Sequence, residues 1–199
     1  MSINNYSWRP YDLSEIIQTL SDNNNWILCG GHSVDLWLKK ETRKHSDIDI
    51  GVFRSDLKVI LDELKDHEVY LCDPPGSHRK YDGIVPERVF DIWIAKSGWW
   101  VFQIVVFDDI GDMVVFKRNR DIKWHKKIHY VTVGGVRILN PAISLLYKIT
   151  DKQPEKKTVM DICNIINGLY CGLSAQQGDA PEPATNVDSA LPSSQPPAR

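Results

Sequence analysis

Apolar residues recur along the chain at two spacings, and the alternation between them divides it into helices and strands. Leu13, Ile16, Ile17 and Leu20 fall at helical spacing behind Asp12, a good N-cap, and the polar run over 22–25 ends that helix. Residues 26–29 read as a short strand running into Gly30-Gly31 and a helix over about 32–39, with Val34, Trp37 and Leu38 inward. Residues 47–53 alternate carboxylates with isoleucines. On a strand, side chains two apart share a face, so Asp47 and Asp49 point together and Ile48 and Ile50 point the other way. Ser55 is placed to cap a helix whose buried stripe is Leu57, Ile60, Leu61 and Leu64. A short strand over 69–71 and a Pro-Pro-Gly loop over 73–77 come next. Over 88–95, Val89, Asp91 and Trp93 alternate with Phe90, Ile92 and Ile94, which predicts a strand with Asp91 at its centre. Lys96-Ser97-Gly98 turns it into 99–107, a continuously apolar run suited to a sheet interior.

The second half carries weaker signals. Residues 113–116 suggest a strand, and 131–133 with 136–139 suggest a hairpin about Gly134-Gly135. Asn140-Pro141 opens a helix with Ile143, Leu145, Leu146 and Ile149 apolar, and a last helix runs over about 156–169. Residues 173–199 hold little that can be buried, which predicts a disordered tail. Residues 1–172 then form one domain, with a core over about 12–110 and the hairpin and helices of 111–172 attached.

Composition narrows the function more than the fold. A formal charge of -2 argues against a dedicated nucleic-acid binder, which carries a basic stripe, but leaves a nucleotide open as a ligand. Four cysteines without zinc-type spacing fit a reducing, cytoplasmic setting. The first residues lack the charged start and apolar run of a signal peptide, and no apolar stretch is long enough to span a bilayer.

The candidate chemistry gathers in 30–49 and at residue 91. Gly30-Gly31 at a helix start offers unpaired N–H groups and close backbone approach, both suited to a phosphate. Asp47 and Asp49 offer two parallel carboxylates to a hard divalent cation, most simply Mg²⁺. Asp91, set among apolar residues, is a candidate third carboxylate and general base. Burial would raise its pKa and a nearby metal would lower it. A cradle, a metal site and a base are the three requirements of nucleotidyl transfer.

Gly30-Gly31-His32-Ser33-Val34-Asp35, followed by Thr42-Arg43-Lys44-His45-Ser46-Asp47-Ile48-Asp49, resembles the signature of the small-molecule nucleotidyltransferases. The likeness is closest to the branch of aminoglycoside and lincosamide adenylyltransferases. It implies an α+β, polymerase-beta-like nucleotidyltransferase fold: a mixed sheet flanked by helices, with a short helical C-terminal segment. It implies transfer of a nucleoside monophosphate, AMP from ATP first among the options, to a hydroxyl of a small acceptor, with Mg²⁺. Asp47, Asp49 and Asp91 would be the metal ligands, with Asp91 as base, and Gly30, Gly31, His32, Arg43 and Lys148 would face the nucleotide. Lys148 belongs to a segment from Asn140 to Asp161 that resembles the C-terminal helices of the family. His32 departs from the branch, which usually has tryptophan there, and this opens the choice of nucleotide.

Plainer readings stand beside these. Arg43 and Lys44 suit a solvated loop, and His45 one that merely orients the next strand. Asp108, Asp109 and Asp112 suit a solvated turn rather than a seat for a polyamine. Trp93, Trp99, Trp100 and Trp124 divide between core and a stacking wall for an acceptor. The same fold also serves nucleotidylating toxins that act on RNA or protein, and a third reading is a nucleotide-binding scaffold without turnover. The second half is short for enclosing an acceptor pocket alone, which leaves room for a homodimer.

Overall fold

The computed structural model describes residues 6–177, with side chains over 6–172. Its elements begin with β1 (Ser7–Trp8), α1 (Leu13–Thr19), β2 (Ile27–Leu28), α2 (Gly30–Leu38), β3 (Asp49–Phe53) and α3 (Leu57–Glu63). They continue with β4 (Glu68–Cys72), β5 (His78–Lys80), β6 (Asp91–Lys96), β7 (Trp99–Phe107), β8 (Asp109–Ile110) and β9 (Met113–Val115). The last are β10 (Lys123–His125), β11 (Tyr130–Val133), β12 (Val136–Leu139), α4 (Pro141–Ile149) and α5 (Lys156–Gln177). The main sheet runs β11-β12-β2-β3-β7-β6-β4-β5, with β1 also on β7, and β10-β9-β8 form a second small sheet. Among the described residues no helix is long and apolar enough to cross a membrane.

The nine-residue β7 is the spine of the main sheet. It pairs with β3 in parallel (Asp49 opposite Gln103) and with β6 antiparallel (Asp91 opposite Val105). Because side chains alternate, Ile50, Ile104 and Ile92 stand side by side on one face, while Asp49, Gln103, Val105 and Asp91 occupy the other. The isoleucine face is closed by Ile16 and Leu20 from α1 and by Leu57, Ile60, Leu61 and Leu64 from α3 and its end. On the opposite face, Cys29, Phe107, Leu139 and Ile143 form a smaller core against Tyr147 of α4. That second core stops short of the acids, so one face of the sheet is left for chemistry.

Local signals account for the helix ends. Asp12 accepts from the Glu15 amide while Glu15 accepts from the Asp12 amide, a reciprocal capping box. Asn140 caps α4, with Pro141 at its first turn. Three boundaries differ from expectation. The Ser55 amide donates to Asp109 instead of Ser55 capping α3, whose first turn follows Asp56 without a side-chain cap. The β5, β8 and β10 strands, of two or three residues, are too short for alternation to mark, whereas β9 falls on the strand expected over 113–116. The last helix runs on to Gln177, so the expected tail is helical over 173–177, and its remainder, 178–199, lies outside the described residues.

Ile104 is fully buried between Ile50 and Ile92. Ile104→Ala should therefore cost about 2–5 kcal/mol, read as a lowered urea midpoint at unchanged slope.

Candidate active site

The site begins where β2 ends. Cys29 is the N-cap of α2 and supplies no side-chain cap, so the first amides of that helix are not closed off by a side chain. Gly30 has φ of 64°, and a Cβ there would strike Asp49 Oδ2. A Cβ at Gly31 would strike the rings and guanidinium of His45 and Arg43. The glycine pair therefore lets the helix start lie directly against an acid on one side and two basic groups on the other. Both glycines fall inside α2, which starts two residues earlier than the pattern placed it.

Asp49 opens β3, and Asp47 lies before the strand rather than in it. The reason is competition for the edge of β7. In the register that sets Asp49 opposite Gln103, Asp47 would lie opposite Val101, but the Tyr11 amide donates to the Val101 carbonyl (2.9 Å) and β1 covers Trp99 and Trp100. Asp91 likewise opens β6 instead of sitting at a strand centre. A turn in which the Val89 amide donates to the Pro86 carbonyl (3.0 Å) bends the chain just before it. Asp91 still shares the sheet face of Asp49, and its Oδ1 accepts from Gln103 Nε2 (3.2 Å) on the strand between them.

The three acids share one electrostatic field. Burial raises the Asp49 carboxyl to about 6, with Asp47 and, more weakly, Asp91 pushing the same way and Lys148 and Lys157 opposing them. Among the described residues no group of three or more His, Cys, Asp or Glu side chains is gathered tightly enough to hold a metal ion. The donor set nevertheless suits Mg²⁺ in kind: hard carboxylate oxygens whose mutual repulsion a divalent cation would relieve.

Asp161 is the residue that pattern reading left without a role. Only 1% exposed, it accepts from Arg43 Nε (2.9 Å) and Nη2 (3.1 Å) and from Lys148 Nζ (2.7 Å). Burial alone would raise its pKa, and the two cations outweigh burial and lower it. Arg43 is thus no freely solvated loop residue: one acid on α5 fixes both the loop before β3 and the end of α4. Asp35 does similar work nearby, accepting from the Thr42 amide (3.0 Å) and pairing with His45 (2.6 Å). His32 lies on the His45 ring at 4.2 Å, and burial followed by His45 lowers its pKa. Of the acids beyond β7, Asp108 and Asp109 are ligated, while Asp112 is exposed as expected of a turn. Asp108 binds Arg54 and Arg120, and Asp109 binds Lys126.

Two cavities meet at this face. The smaller, about 150 Å³, is lined by Gly30, Asp49, Lys148 and Tyr147 among others; the larger, about 610 Å³, holds Asp91, Gln103 and Trp93. Lys117 lines both. It followed no motif, and only its position between the cavities draws attention to it.

Residues 12–73, which contain Gly30, Gly31, Asp47 and Asp49, match the family model described as aminoglycoside-2''-adenylyltransferase. No curated protein matches the chain. Among solved structures, the lincosamide antibiotic adenylyltransferase LnuA with lincomycin bound superposes with a TM-score of 0.54 at 13% identity, over 79% of this chain and 98% of that one. ANT(2")-Ia in complex with adenylyl-2"-tobramycin gives 0.49 at 14% identity, over 83% and 92% of the two chains. The Megavirus polyadenylate synthase gives 0.49 at 14%, over 78% of this chain and 30% of that one.

The mixed sheet flanked by helices is a nucleotidyltransferase fold. Within it, the matched segment is the one that carries the resemblance to the aminoglycoside and lincosamide adenylyltransferases.

Two measurements test the electrostatics. A raised carboxyl favours folding at acid pH, where it is protonated, and that contribution is lost as pH rises from about 4 through 6. Asp49→Asn should therefore stabilise the fold at pH 8 by at most about 3 kcal/mol, read as a raised Tm in scanning calorimetry, with the gain shrinking toward pH 5. Asp161 has the opposite sign, since its lowered pKa stabilises the fold above the ordinary carboxylate range and the contribution is lost in acid. Asp161→Asn leaves Arg43 and Lys148 without their acid and should cost about 3 kcal/mol in urea denaturation at pH 7.

Proposed function

We propose that the protein is an Mg²⁺-dependent adenylyltransferase that moves AMP from ATP to a hydroxyl of a small molecule. The observation that carries this reading is the placement of Asp49 and Asp91 on one face of the sheet, beside a helix start opened by Gly30 and without a side-chain cap. The α2 amides at Gly30 and Gly31 receive phosphate oxygens, and Lys148 and Arg43 add positive potential behind them. Asp47, Asp49 and Asp91 would hold Mg²⁺, which would supply neutralisation of the triphosphate charge. His32, backed by His45, borders the nucleotide.

Asp91 orients the acceptor hydroxyl and takes its proton, while Gln103 holds the other side of that carboxylate. The acceptor oxygen forms its bond to the α-phosphorus as the bond to the bridging oxygen breaks, and pyrophosphate leaves with that electron pair. The names of the matched family and of LnuA put aminoglycosides and lincosamides among the acceptors to be tried. We place the reaction in the cytoplasm, where ATP is supplied.

Pyrophosphate release with ATP and a panel of hydroxylated acceptors tests the reading. Asp91→Asn should lower turnover by a factor of about 10² or more while retaining ATP binding in calorimetry. Wild-type turnover in that variant would remove the base from the mechanism.

A further inference from the structure

The cavity that holds Asp91 is built for an acceptor of particular charge. Its lining includes Phe90, Asp91, Trp93, Gln103, Lys117 and Arg118, so one carboxylate faces two cations and two aromatic rings. That carboxylate already accepts from Gln103. Arg118 is held by the Tyr147 carbonyl and the Thr150 hydroxyl, both neutral, and Lys117 sits over the Phe90 ring at 5.2 Å. Among the described residues neither is ion-paired with a carboxylate. A third cation at the rim, Arg88, is neutralised by Asp73 at 2.9 and 2.6 Å.

Trp93 is a fixed wall. Trp8 packs on it at 5.1 Å, His78 at 4.3 Å and Trp100 edge-on at 5.1 Å. A side chain braced on three sides gives up little freedom when a flat ligand stacks against it. The volume, about 610 Å³, suits a small organic molecule. A polycation entering here would meet Lys117 and Arg118 and find one acid, whereas an anion or a neutral ring would find complementary charge and a stacking surface.

Resting on the adenylyltransferase reading, we infer that the acceptor is a small hydroxylated compound with a flat ring and neutral or negative charge, and that polycationic aminoglycosides are rejected. Three probes separate charge from shape: 4-nitrophenyl β-D-glucuronide, 4-nitrophenyl β-D-glucoside and tobramycin, titrated calorimetrically into the full chain with Mg·ATP measured separately. The glucuronide should bind about tenfold or more tighter than tobramycin, with the glucoside between them. Trp93→Ala should weaken both aryl probes about tenfold without changing ATP affinity, and Trp93→Phe should restore them. Arg118→Glu should reverse the order of glucuronide and tobramycin. Tobramycin binding as tightly as either aryl probe, or neither aryl probe binding at millimolar concentration, overturns the inference. Aryl binding without ATP binding or pyrophosphate release would sustain the cleft's chemistry and overturn the adenylyltransferase reading instead.

Discussion

The site depends on one close approach, that of the Asp49 carboxylate to the backbone of Gly30. A Cβ at residue 30 would occupy the space of Oδ2, and the positive φ there is one that L side chains rarely adopt. The contact brings an acid under the start of α2, where the helix dipole and its uncapped amides are most positive. An acid at a helix start is ordinarily stabilised, yet Asp49 is raised, because burial and the fields of Asp47 and Asp91 exceed what Lys148 and Lys157 return. The imbalance is a local excess of negative charge beside uncapped amides, and the proposed cation and phosphate sites rest on it.

That arrangement is held from behind by Asp161. It lies 118 residues from Arg43 in the chain and 13 from Lys148, and it ties α5 to the loop before β3 and to α4. One of the cations it fixes, Lys148, also offsets the charge of Asp49, so the acid on α5 acts on the field at the acids. The His45–Asp35 pair and the His32 ring add a second brace to the same loop.

How much of this could be read in advance follows from the distance along the chain over which each feature is made. The glycine pair, Asp47, Asp49 and the caps of α1 and α4 are local, and residues 30–49 could be singled out without knowing the fold. The fold class was legible through the same segment and through the alternation of 88–95. Strand starts were not. Asp47 left its strand because residues 7–11 compete for the β7 edge, and Asp91 opened its strand because of a turn at Pro86. Neither competition has a periodicity. Asp161, Gln103 and Lys117 were missed for the same reason: each acquires its role from contacts across the fold, and a lone polar residue in an apolar stretch looks alike whether it grips an arginine or faces water. The acids at 108 and 109 show this in reverse, since a turn-like run of carboxylates became the anchor for Arg54, Arg120 and Lys126.

A buried, charge-crowded Asp49 lowers stability at neutral pH, and the fold must offset it elsewhere. The offset lies on the reverse of the same strands. Ile50, Ile92 and Ile104 are fully buried on the face opposite the acids, and Ile48 and Phe102 extend that layer. Period-two alternation thus does two jobs in one ladder: even-numbered positions bury apolar surface and hold β3, β7 and β6 in register, while odd-numbered positions hold carboxylates where repulsion would otherwise drive them apart. A one-residue slip of β6 against β7 would exchange Asp91 for a core isoleucine, burying the acid and exposing the hydrophobe. The hydrophobic layer therefore fixes the register that keeps Asp49, Gln103 and Asp91 together on the other face, so the two sides of one sheet depend on one alignment.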